Sequence, residues 1–178
     1  DSKTRSYYLF HLGHHFIFAR SDAKKALEYL EQSKKLFKNE AMFGARRELI
    51  LAIARQMLGK SSMALKTLDD IEKNFSPSSL MHIRSLHSRI FVQILSGNMS
   101  DATTASERFN FATRNCDYKT VEAFSWYFRG NIAFQTFNED VAEQAFCSTL
   151  GFNGMLNYRV YFDAMAGLIL FSSLKGDD

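Results

Sequence analysis

Four times along this chain an apolar-periodic stretch gives way to a short polar break, after which an alanine opens a second periodic stretch. The breaks read Ala19-Arg-Ser-Asp-Ala-Lys-Lys-Ala26-Leu, Leu58-Gly-Lys-Ser-Ser-Met-Ala64-Leu, Ser96-Gly-Asn-Met-Ser-Asp-Ala102 and Phe137-Asn-Glu-Asp-Val-Ala142. Their anchoring alanines, Ala26, Ala64, Ala102 and Ala142, stand 38, 38 and 40 residues apart. One helical hairpin cannot bury its own apolar face, so a period of roughly 40 residues implies hairpins stacked on their neighbours.

Composition agrees. One proline and nine glycines in 178 residues leave few chain breakers, which favours helices over a many-turned sandwich or barrel. With 46% hydrophobic residues and 17 Phe the chain has ample material for a core. Cys116 and Cys147 lack the partners of a disulfide framework or a metal knuckle and read as free thiols, buried like small hydrophobes, in a reducing cytoplasm. The longest apolar run, Ala164–Phe171, is far shorter than the roughly 18 residues of a membrane span. Residues 1–60 carry 12 Lys/Arg against 6 Asp/Glu, and pairs such as Lys24-Lys25 and Lys34-Lys35 read as solvated helix faces.

The apolar periodicity predicts helices over 5–20, 22–38, 41–58, 62–75, 78–96, 99–114, 118–136, 139–149 and 155–174. Gly59 and Gly97 suit the left-handed conformation that closes a helix, and Ser62, Ser100 and Asn138 are expected as N-caps. Ser76-Pro77 is expected to start a helix, and Gly151–Gly154 to form a loop. Gly59-Lys60-Ser61 ends like a phosphate-binding loop, but the glycine required five residues before Gly59 is Ala54, inside a helical pattern. The triplet is therefore expected to stop a helix rather than hold a nucleotide. A small residue recurs seven positions before the breaks, at Ala52 and Gly130, where a neighbouring helix must pack; His14 and Ile90 occupy that column in the other repeats.

These offsets resemble tetratricopeptide (TPR) repeats of long period. Trp126–Phe146, followed by Asn157-Tyr-Arg159 and Asp163-Ala-Met-Ala-Gly-Leu-Ile-Leu170, resembles the helical-repeat arm of bacterial maltose-activator-like and LuxR-type signal-transduction ATPase regulators. The resemblance covers residues 126–176; the rest carries only the generic repeat. It implies an arm that receives an inducer or regulatory protein, placed between an ATPase module and a DNA-binding module that this chain does not contain. His14 in the small-residue column and Phe137 at the usual turn glycine depart from that pattern.

Few residues suggest chemistry. His11, His14 and His15 have spacings seen in zinc sites, but no further ligand accompanies them, so no metal is expected. His14 is expected to pack toward the partner helix. Glu122 and Glu143 are lone carboxylates, and Trp126-Tyr127-Phe128 reads as core rather than as a ligand platform. Counting from the small-residue column, the first helices should line a concave face with Tyr8, His11, His15, Arg46, Gln56, Arg84, His87, Phe124, Tyr127 and Asn131. The Lys/Asn/Arg clamp of chaperone-tail-binding TPR domains is missing from these offsets.

The expectation is an all-α, TPR-like right-handed superhelix of about four and a half hairpins (5–38, 41–75, 78–114, 118–149 and a partial 155–178), one domain cut from a larger protein. It would be a cytoplasmic, non-enzymatic sensing or interaction arm of an ATP-dependent transcriptional regulator, without cofactor. Its partner would be a protein, a peptide or a small inducer, with self-association as a further option. Neither membrane nor direct nucleic-acid binding is expected. The alternative is a free-standing TPR scaffold with no transcriptional role.

Overall fold

The computed structural model describes residues 1–37, 40–115, 119–152 and 158–175, the side chains at 158, 159 and 175 excepted. Among these residues the fold is all-α, with nine helices and no strand. They are α1 (Ser2–Phe18), α2 (Ala23–Leu36), α3 (Ala41–Met57), α4 (Ser61–Asn74), α5 (Leu80–Leu95), α6 (Met99–Thr113), α7 (Lys119–Gln135), α8 (Glu139–Leu150) and α9 (Tyr158–Lys175). Every boundary lies within three residues of the sequence expectation. The chain divides into two compact units, 1–96 and 97–178, and the division falls between α5 and α6.

In the first unit each helix packs on the next, and α3 also packs on α1 and α5. That ladder is what stacked hairpins require, and alternate helices meet through the repeating small and apolar positions. Ile17, Ala23, Ala26 and Ala54 form one core cluster; Ala52, Ala64, Leu68, Ile71 and Met81 belong to another. Ser6 and Ser33 lock α1 to α2 by mutual bonds, each hydroxyl donating to the other's backbone carbonyl at 2.8 and 2.9 Å. Arg89 on α5 ties back to α4 through Asp69 (2.6 Å) and Glu72 (2.8 Å). In the second unit α7 packs on α6, α8 and α9, and α8 on α9. Ala133, Ala142, Phe146, Ala164 and Phe171 fill its centre.

The turns explain the repeat. Gly59 and Gly97 take the left-handed conformation (φ 72° and 76°), as expected of helix-closing glycines. Lys60 N–H donates to Arg55 C=O and Gly59 N–H to Gln56 C=O, the Schellman arrangement that satisfies the last carbonyls of α3. Asn138 and Phe137 repeat both bonds with Ala133 and Phe134, so Phe137 stands in the glycine position with φ 57°. Gly59-Lys60-Ser61 is thus a helix stop followed directly by α4.

Several local expectations are corrected. Ser62 and Ser100 lie inside the first turns of α4 and α6, and Asn138 makes no side-chain cap bond; among the described residues the N-caps that do bond are Asp1, Asp22 and Ser79. Ser76-Pro77 forms a turn, with Ser79 N–H donating to Ser76 C=O, and α5 starts only after Ser79. Cys147 is exposed on α8 rather than buried. Cys116, the 153–154 part of the expected loop and Asn157 lie outside the described residues.

The small-residue column is corrected too. His14 is exposed, whereas Gly13 is buried, and a Cβ on Gly13 would lie 2.6 Å from Leu30 Cγ. The reason is an extra residue in the first turn. Four residues separate α1 from α2, while three separate α3 from α4, α5 from α6 and α7 from α8. The turn bond of the first hairpin, Asp22 N–H to Phe16 C=O, spans six residues instead of five. Counting back from the break therefore stops one residue short, and Gly13 is the true companion of Ala52 and Gly130.

Candidate functional site

The face of the first unit carried by α1 and α3 gathers aromatic rings and cations around Phe10. His11 meets the Phe10 ring edge-on at 5.2 Å, His14 lies 6.4 Å from it, and the Arg46 guanidinium stands 5.9 Å over it. His14 also packs on Phe18, centroid to centroid 4.5 Å. His14 is exposed as a residue, but its ring is partly desolvated where it packs on Phe10 and Phe18; this lowers its pKa, and the neighbouring His11 and Arg46 charges lower it further. His14 is therefore biased toward the neutral imidazole, which offers a ring nitrogen as a hydrogen-bond acceptor.

The residues expected in a concave groove fall into two classes. Tyr8, His11, His15, Arg46 and Arg84 are exposed. His15 leans on Phe16 at 5.7 Å, away from the Phe10 cluster. His87 is half-buried beside Phe91 (5.1 Å), and its pKa is pushed down to about 4, first by burial and then by Arg84. Gln56 and Tyr127, by contrast, are buried. Gln56 keeps a side-chain oxygen without a hydrogen-bond partner among the described residues, and the Tyr127 hydroxyl donates to Asp163 Oδ2 at 2.9 Å. Phe124 is half-buried against Phe128, and Asn131 donates to the Tyr127 carbonyl of its own helix. These positions serve packing before recognition. Once the first-turn insertion is counted, Tyr7, Phe10 and His14 take the offsets assigned to Tyr8, His11 and His15.

The sequence pattern did not anticipate a second type of site, between consecutive second helices. In the first unit a groove of about 810 Å³ runs between α2 and α4 over α3. Ion pairs between α2 and α3 use its lining residues, with Lys34 Nζ 2.8 Å from Glu48 and Arg55 Nη2 3.3 Å from Glu31. The second unit has the matching groove, about 720 Å³, between α6 and α8 over α7. Its walls carry Glu107, Asn110, Glu122, Trp126, Arg129 and Asn138. The Arg129 guanidinium stands 5.5 Å from the Trp126 ring. The aromatic triplet thus divides: Phe128 and Tyr127 are core, while Trp126 is half-buried and lines the cavity.

Among the described residues, no three His, Cys, Asp or Glu side chains gather as metal ligands. Nor is any helix among them long and apolar enough to cross a membrane. No known protein family, curated protein or solved structure matches this chain.

Proposed function

We propose that this chain is a non-enzymatic, TPR-like binding arm that senses an inducer or regulatory protein for a bacterial ATP-dependent transcriptional regulator. The observation that carries the reading is the exposed group of His11, His14, Phe18 and Arg46, set over the buried Phe10 ring and built from two successive first helices. Such a surface suits an anionic or hydrogen-bonding ligand, with the exposed Phe18 ring supplying apolar contact and Arg46 the charge. The resemblance of residues 126–176 to regulator arms supplies the biological setting. Its two motif glycines, Gly130 and Gly167, both stand where α7 and α9 close on Phe146. Binding would act on a parent protein by favouring one of its states, which requires different affinity for the two.

Two measurements test the reading. The flanking reading frame should encode a phosphate-binding loop upstream and a helix-turn-helix downstream; a frame with neither sinks the regulator assignment. A thermal-shift screen of sugars, nucleotides and peptides should find a ligand that stabilises the natural chain and not the His14→Ala/Arg46→Ala variant. Equal stabilisation of both would remove the cluster from the binding site.

A scaffold that assembles proteins without a transcriptional role is the second reading. It is favoured by α9, where Phe162, Ile169, Leu170 and Leu174 are exposed, three of them on one side of the helix at spacings of seven and eight. A frame without the flanking modules, together with concentration-dependent self-association, would select it.

A further inference from the structure

We infer that the groove between α6, α7 and α8 binds a guanidinium or ammonium group brought by a ligand, held between the Glu107 carboxylate and the Trp126 ring. The argument comes from the two matching grooves of the repeat. Counting from the anchoring alanines, Glu107 on α6 corresponds to Glu31 on α2, and Asn110 to Lys34. Counting from Ala52 and Gly130, Trp126 on α7 corresponds to Glu48 on α3, and Ala133 to Arg55. In the first unit the chain supplies its own cations, since Arg55 pairs with Glu31 and Lys34 with Glu48. In the second unit the cations at these two positions are replaced by Asn110 and Ala133 while the carboxylate remains, and the cation on the groove wall, Arg129, stands over the indole.

What replaces them suits a ligand. Ala133 and Asn110 leave short side chains on a cavity of about 720 Å³, and an indole stands where Glu48 stood. Glu107 makes no ion pair among the described residues. Glu122 adds a second carboxylate to the same lining, although Lys119 stands 3.5 Å from it. The chain's own Arg129 guanidinium stands 5.5 Å from the Trp126 ring on the same lining, so an incoming cation would share the indole with it or displace it. A planar guanidinium can pair with a carboxylate through parallel N–H donors while its face or edge rests on an aromatic ring. The site is carried by the second unit alone and does not rest on the function proposed from α1 and α3.

Trp126 is the single tryptophan of the chain, so its emission reports on this groove directly. The whole chain would be titrated at low salt with acetyl-Ala-Arg-Ala-amide, with agmatine, and with the neutral citrulline analogue of the peptide. A saturable emission change is expected with the two cations and none with the citrulline peptide. Stronger binding of the arginine peptide than of agmatine would assign a protein segment as the source, and equal binding a free small cation. Glu107→Gln should weaken binding about tenfold, the loss of one charge-assisted contact. Asn110→Lys, an exposed position, should return an internal ammonium to the groove and abolish binding without lowering the melting temperature. A citrulline response equal to that of arginine, no response to any probe, or unchanged affinity in both variants would overturn the inference.

Discussion

The ring of Phe146 fits so closely against Gly130 that a Cβ at that glycine would stand 2.6 Å from Cδ1, and on the ring's other side Gly167 leaves 2.5 Å to Cε2. A side chain of α8 is thus gripped by two helices whose backbones approach it without side chains of their own. The first hairpin uses the same device, with Gly13 against Leu30.

Replacing Gly130 by alanine should therefore destabilise the second unit. Alanine favours the helix by up to about 1 kcal/mol, but a methyl group pressed on a ring that cannot retreat costs more, about 1–3 kcal/mol. The expected net loss is roughly 1–2 kcal/mol, read as a lower urea midpoint at unchanged slope. Adding Phe146→Leu to Gly130→Ala should recover part of it, because the smaller side chain vacates the overlapping space. A Gly130→Ala variant as stable as the natural chain would show that the ring is free to shift.

Phe137 is strained and gains nothing from packing. It takes φ 57° in the left-handed region with its side chain 90% exposed, in the position that glycine fills at Gly59 and Gly97. Phe137→Gly should stabilise the chain by about 1 kcal/mol, since the left-handed penalty of an ordinary residue exceeds the extra entropy glycine loses on folding. Thermal unfolding checks this. A fall in melting temperature would mean that the exposed ring has a contact worth more than the strain.

Stability should depend on pH through His87. Its folded pKa of about 4 lies below the ordinary value of 6.5, so the unfolded chain takes up the proton first as pH falls. Stability is full above about pH 6.5 and declines as pH drops toward 4, by at most about 3 kcal/mol at ~1.4 kcal/mol per unit. His14, also lowered by partial desolvation, adds to the same trend. His87→Phe should flatten the slope of unfolding free energy against pH between these values. An unchanged slope would place the titration elsewhere.

The sequence by itself determined the helices and their order along the chain. Ala26, Ala64, Ala102 and Ala142 are buried, and the turn glycines are left-handed, because both demands are local and recur with the period. Helical periodicity and chain breakers are written within a few residues of where they act, so they are readable without knowing what packs on what.

Tertiary structure decided the register and the site. One extra residue in the first turn moved the close approach from His14 to Gly13, and no spacing rule distinguishes the two until Leu30 is seen against the glycine. Tyr127 shares its offset with His11 and His87 yet is buried, and Gln56, expected on the same face, is buried too, because neighbouring helices cover them. Glu107 and Trp126 are nineteen positions apart and belong to no motif; only the packing of α6 on α7 puts them on one cavity. A side chain's environment is set by helices distant in sequence, and that information becomes physical only when the hairpins stack.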